Sequence, residues 1–111
     1  MIEAGQIYFL RKAVGIGRAN YGRPCLVLCV SKLDATICYF STKMEYRKPH
    51  EVAVRPSDSE YLTTGLRDSS YILNSPTDDV DLDYFKGAKL LGRATGDFKK
   101  RIEEWYGAPL G

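Results

Sequence analysis

The chain is poor in the side chains that bind metals or cross-link a fold. Its 111 residues include one histidine, one tryptophan, two methionines and three cysteines. No C-x-x-C pair occurs and His50 stands alone, so a zinc site lacks both the spacing and the ligands it needs. No stretch approaches the ~18 consecutive apolar residues of a membrane span, so no spanning helix and no membrane partner is expected. The start, Met1-Ile2-Glu3-Ala4-Gly5-Gln6, lacks the basic residues and apolar run of a signal peptide. The expected compartment is the cytoplasm, and three unpaired cysteines fit it. No linker, repeat or low-complexity tract interrupts the sequence. Residues 1–111 therefore read as a single domain, with room for one core of its own. A hydrophobic content of 44% and a charged content of 27% are ordinary for a soluble globular protein.

Net charge is only +2, but it is unevenly spread. Residues 1–55 carry nine Lys/Arg and four Asp/Glu, or +5. Residues 56–111 carry seven and ten, or −3. The basic groups of the first half fall mostly where loops are expected: Arg11, Lys12, Arg18, Arg23, Lys43, Arg47 and Lys48. A basic face against an acidic back suits an anionic ligand.

The pattern is mainly β, closed by a helix. Gln6 to Leu10 reads as a strand, with Ile7 and Phe9 on one face and Tyr8 and Leu10 on the other. A Gly-rich basic loop, Gly15 to Gly22, follows. Arg23 to Val30 is a near-continuous apolar run after a proline, as a strand buried on both faces requires. Pro24, lacking an N–H, belongs at its beginning. Cys25 and Cys29 share parity and are expected on one face. All three cysteines are expected to be small buried hydrophobes.

Lys32-Leu33-Asp34 reads as a turn and Thr36 to Phe40 as the return strand. Glu51 to Val54 reads as another strand. A short helical turn runs through Leu62, with Ser57 or Ser59 as its cap and Gly65 as its end. Ser70 to Leu73 is a strand, Asn74-Ser75-Pro76 a turn, Asp81 to Phe85 a short helix, and Lys89 to Arg93 a last strand. Gly96 or Asp97 then opens the best helix. Phe98, Ile102, Trp105 and Tyr106 recur on one apolar face, and Gly107 suits a left-handed end. Short strands with turn signals and a terminal helix predict a small antiparallel β-barrel or half-barrel.

Three motifs stand in order along this pattern. The first is Gly22-Arg23-Pro24-Cys25-Leu26-Val27-Leu28, followed after the return strand by Ser41-Thr42. The second is Thr64-Gly65-Leu66, followed by Ser69-Ser70-Tyr71-Ile72. The third is Lys89-Leu90-Leu91-Gly92-Arg93 before the amphipathic helix. Together they resemble the MazF/PemK toxins, small ribonucleases of bacterial type II toxin–antitoxin pairs. The resemblance implies an SH3-like antiparallel β-barrel with a C-terminal helix, and a homodimer with single-stranded RNA across its groove. It further implies a cognate antitoxin as partner, no cofactor, and inhibition of growth as the outcome.

The family's reaction is metal-independent attack of a 2′-hydroxyl on the adjacent phosphate. That step needs proton transfer and a cation to stabilise the charged phosphorane. A planar guanidinium suits the cation because its fork matches two phosphate oxygens and stays charged. Arg23 matches the family's Arg-Pro arginine and is the expected catalytic cation. Ser41 and Thr42 match the hydroxyl pair expected to contact the phosphate. Arg11, Lys12, Arg18, Tyr21 and Lys43 are the expected RNA-binding residues, with Tyr39 a further candidate for base stacking. His50 has a suitable ordinary pKa for a base, but no family motif supports it. Some members carry an Arg-x-Asp or Gln-x-Arg in or after the central strand. Here that stretch reads Asp68-Ser69-Ser70-Tyr71-Ile72-Leu73-Asn74-Ser75-Pro76-Thr77 and holds no arginine. Two alternatives follow: a toxin of this fold acting on a protein such as DNA gyrase, and a non-catalytic nucleic-acid-binding module. The gyrase reading draws on Trp105 near the C-terminus, which fits better as part of the helix's apolar face.

Overall fold

A computed structural model of the chain describes residues 2–10, 22–41, 52–72 and 77–110. Its elements are β1 (Gln6–Leu10), β2 (Arg23–Val30), β3 (Asp34–Ser41), β4 (Ala53–Val54), α1 (Tyr61–Thr64), β5 (Ser70–Ile72), β6 (Asp78–Asp81), a 3-10 helix (Leu82–Phe85), β7 (Lys89–Arg93) and α2 (Gly96–Tyr106). The strands form a curled antiparallel half-barrel in the order β4-β5-β3-β2-β1-β7, with β6 pairing on β3. The protein is mainly β with a C-terminal helix, as the sequence pattern predicts.

Strand β2 runs through the middle of the sheet, and its side chains feed two cores. Leu26 and Leu28 join Ile7, Cys38, Phe40 and the α2 residues Phe98 and Ile102 on one face. Cys25 and Val27 join Tyr8, Leu10, Ile37, Tyr39, Val80 and Phe85 on the other. The unbroken apolar run thus has the physical cause expected of it. Each of its large aliphatic side chains gains ~1.5–3 kcal/mol from burial. Strand β1 divides in the same way: Ile7 faces the α2 core, while Tyr8 and Leu10 face the second.

A bulge in β2 overturns one expectation. Val27 pairs with Ile37, but the next pair is Cys29 with Thr36, so Leu28 is the extra residue. An inserted residue reverses the alternation beyond it. Cys29 therefore leaves the face of Cys25 and is exposed, whereas Cys25 and Cys38 are buried. Burial pushes the Cys25 thiol up to about 12 and raises that of Cys38 as well.

Strand β6 is the element that sequence reading missed, since three of its four residues are aspartates, a residue depleted in strands. Val80 anchors it by burial in the second core. The carboxylates accept local hydrogen bonds: Thr36 Oγ1 donates to Asp79 at 2.6 Å, and the Asp83 amide donates to Asp81 at 2.8 Å. Asp34, across from Asp81, accepts from Ser31 Oγ at 2.6 Å. These bonds offset the like-charge pairing across β3 and β6. The helix expected at Asp81 to Phe85 is the 3-10 turn, with Asp81 as its cap.

Helix α1 has no side-chain N-cap; Ser59 donates instead to the Glu60 carboxylate at 2.6 Å, so neither Ser57 nor Ser59 acts as the expected cap. Its end is Gly65, at φ 73°, as expected. Around this turn two of the sequence motifs meet. A Cβ at Gly65 would overlap the Leu91 carbonyl, and one at Gly92 would overlap the backbone of Thr63 and Thr64. Helix α1 thus seats on β7, linking the two edges of the sheet. Helix α2 is tied down by Arg101, which donates to the Ala53 carbonyl at 2.8 Å, and ends at Gly107, φ 88°. Trp105 and Tyr106 are half-buried against the first core. The expected turn at Asn74-Ser75-Pro76 lies outside the described residues, as do Glu51 and Leu73 at the ends of expected strands.

Three outcomes follow. Gly92→Ala should lower the midpoint of urea unfolding by an amount worth ~1–3 kcal/mol, as overpacking does. Gly65→Ala should exceed Gly107→Ala, because Gly65, unlike Gly107, combines a left-handed backbone with a blocked Cβ position. A thiol-reactive chromophore should label one cysteine, Cys29, in native protein and all three in denaturant. Rapid native labelling of Cys25 or Cys38 would contradict the two-faced burial of β2.

Candidate functional site

The β2–β3 ladder ends at the Cys25–Tyr39 pair. Arg23 stands two residues before Cys25, and Ser41 two residues after Tyr39, so both lie just past the same end of the ladder. By alternation both belong to the face carrying Cys25 and Tyr39. Ser41 is paired with Tyr71 on β5, and Tyr71 with Ala53 on β4. The guanidinium of Arg55 lies over the Tyr71 ring, 5.7 Å from its centroid. Arg23 itself is paired with Leu10 at the end of β1. One end of the half-barrel therefore assembles a half-buried arginine, a buried serine, a buried tyrosine and a second, exposed arginine.

That end is also where two basic chain segments join the sheet. Residues 11–21 connect Leu10 to Gly22, and residues 42–51 follow Ser41. Arg11, Lys12, Arg18, Tyr21, Thr42, Lys43 and His50 belong to these segments and lie outside the described residues. Of the expected site residues, the described ones are Arg23 and Ser41, and both stand just past the same end of the β2–β3 ladder. Tyr39 is corrected: it is 3% exposed within the second core, so it offers no face to a base.

The other end of β3 has the opposite character. Asp34 pairs with Asp81 there, Asp79 lies opposite Thr36, Asp78 follows opposite Ile37, and Asp83 stands in the turn after β6. Burial, and then its neighbour Asp79, raise the Asp78 carboxyl above its ordinary value. The charge asymmetry between the two halves of the sequence becomes an asymmetry between the two ends of one strand.

At the Arg23 end of β2, on the α2 side of the sheet, a cavity of about 490 Å³ opens beside Pro24. Phe9 and Leu91 form its strand side, and the segment Gly65 to Asp68 forms the opposite wall. Arg67 and Lys89 stand on its rim, both exposed, and neither forms an ion pair among the described residues. Sequence reading missed Arg67 and Lys89. The first precedes the stretch searched for a second arginine, and the second lies in β7, distant in sequence but beside Phe9 in register. No group of three or more His, Cys, Asp or Glu suited to a metal occurs among the described residues. No family model matches the chain, and no curated protein matches it.

The site separates structural from ligand-binding roles. Arg55→Ala removes an exposed cation–π contact and should cost no more than ~1 kcal/mol of stability. Tyr71→Ala empties a buried position and should cost ~3 kcal/mol or more. Comparable losses in urea titrations of the two variants would show that Arg55 is part of the scaffold.

Proposed function

We propose that the protein is a metal-independent endoribonuclease of the MazF/PemK type, the toxin of a type II toxin–antitoxin pair, built on an SH3-like barrel. The observation that carries this reading is the placement of Arg23 and Ser41 just past the same end of the β2–β3 ladder, where the basic segments join the sheet. The order of the three motifs along the chain supports it, as does the contact of the second and third motifs at Gly65 and Gly92. The acidic far end of β3 supports an anionic ligand at the near end.

In this reading a 2′-hydroxyl of single-stranded RNA attacks the adjacent phosphorus. The 2′-oxygen–phosphorus bond forms as the bond to the 5′-oxygen breaks. One proton leaves the attacking hydroxyl and one is taken up by the departing 5′-oxygen. The products are a 2′,3′-cyclic phosphate and a free 5′-hydroxyl. Arg23 offsets the charge of the phosphorane, and the Ser41 hydroxyl donates to a non-bridging oxygen. Thr42, Arg11, Lys12, Arg18, Tyr21 and Lys43 extend the contact along the strand of RNA. A homodimer places two such ends along one groove, and the antitoxin blocks it.

Two features weigh against a gyrase-directed toxin. Trp105 packs against the α2 core, and Leu110 is buried with its amide bonded to Glu103 at 2.8 Å. The C-terminal segment is thus engaged in the fold.

Induced expression in a bacterial host should arrest growth, and Arg23→Ala should relieve the arrest at equal protein level. Removing one donor from a charge-stabilising site typically costs on the order of 10²–10³ in rate. Ser41→Ala should therefore cut RNA cleavage by about that factor, and Arg23→Ala by at least as much. An Arg23→Ala protein that arrests growth as strongly as the parent would overturn the site.

A further inference from the structure

The cavity beside Pro24 has a composition that the cleavage chemistry does not use. It falls within the ~300–1,000 Å³ range of small-molecule sites. Its strand side carries an aromatic ring: Phe9 is 38% exposed, although its neighbours Tyr8 and Leu10 are buried. The ring is held from behind, since a Cβ at Gly22 would overlap it. A fixed, half-exposed ring beside a proline is a stacking surface for a planar group. The rim supplies two cations, Arg67 and Lys89, and one carboxylate, Asp68. The Ser70 hydroxyl donates to the Asp68 carbonyl at 3.0 Å and so helps fix that turn.

A phosphate matches the two cations. The carboxylate repels a phosphate but accepts a hydrogen bond from an amine. A single ligand satisfies all three groups if it joins a phosphate to a flat ring bearing an exocyclic amine. We propose that this cavity is a subsite for one nucleotide of single-stranded RNA, and that it prefers a base with an exocyclic amine over uracil. The base stacks on Phe9, its amine donates to Asp68, and its phosphate lies between Arg67 and Lys89. Pro24 neighbours Arg23 but by alternation stands on the other face of the sheet, so the RNA strand passes around the end of β2 to reach both. The inference rests on the ribonuclease reading for its substrate class.

Cytidine and uridine monophosphates test it, because they share ring size and differ in amine against carbonyl. Backbone amide resonances of the full chain should be followed as each is added. Cytidine monophosphate should move Leu66, Arg67, Ser70 and Leu91, and should bind on the order of tenfold more tightly than uridine monophosphate, as a hydrogen bond to a charged group allows. Asp68→Asn should abolish that preference, and Phe9→Ala should weaken both nucleotides. Equal binding of the two would overturn the base preference. Shifts confined to the neighbourhood of Arg23 and Ser41, or none in a protein that cuts RNA, would overturn the subsite and leave the ribonuclease standing. Selective cytidine monophosphate binding by a protein that cuts no RNA would do the reverse. Movement of these resonances by an acidic, apolar peptide, with none from either nucleotide, would make the cavity a protein-docking cleft and sink the proposal.

Discussion

Burial of β2 on both faces is the constraint on which the rest of the structure depends. Four consecutive residues, Cys25 to Leu28, send side chains alternately into two cores, and each core is completed by elements distant in sequence. Helix α2 closes one face through Phe98 and Ile102. Val80 and Phe85 close the other. A strand held in this way cannot slide by one residue without exchanging its two sets of side chains between the cores. Its first residue is therefore fixed as well, and that residue is Arg23. A cation at the start of a pinned strand is pre-positioned, which is what stabilising a transient charge requires.

The same constraint organises charge. Strand β3 is held along β2, and its two ends carry opposite surroundings: aspartates near Asp34, arginines near Ser41. Neither is obvious from the net charge of +2. The glycine contacts between α1 and β7 add the remaining wall. By letting backbone approach backbone at Gly65 and Gly92, they set the segment Gly65 to Asp68 beside Phe9 and Pro24 and so define the cavity.

Much of this was legible in the sequence, for physical reasons. The limits of β1, β2, β7 and α2 follow from apolar runs, from a proline that must stand early in a strand, and from a glycine that ends a helix. The two-sided burial of β2 is visible in its lack of alternation. The bulge at Leu28 was not legible, because parity arguments assume an unbroken ladder; hence Cys29 was assigned to the wrong face. Strand β6 was hidden because Asp-Asp-Val-Asp has poor strand propensity and is held by pairing and hydroxyl contacts that only the fold supplies. At the candidate site, motif order points to Arg23 and Ser41. It does not point to Arg67 and Lys89, which line one cavity only when α1 seats on β7. The stacking candidate Tyr39 proves to be a core residue, since a tyrosine in a strand reads alike whether its ring lies in a core or a groove.

The central claim is that the Arg23 end of the half-barrel cleaves RNA without a metal. The most direct measurement is incubation of purified protein with a long single-stranded RNA in EDTA, followed by analysis of the fragment ends. Discrete cuts bearing cyclic-phosphate and 5′-hydroxyl ends, lost in Arg23→Ala, are the predicted result. Intact RNA after incubation with folded protein, or cuts that persist in Arg23→Ala, would contradict it.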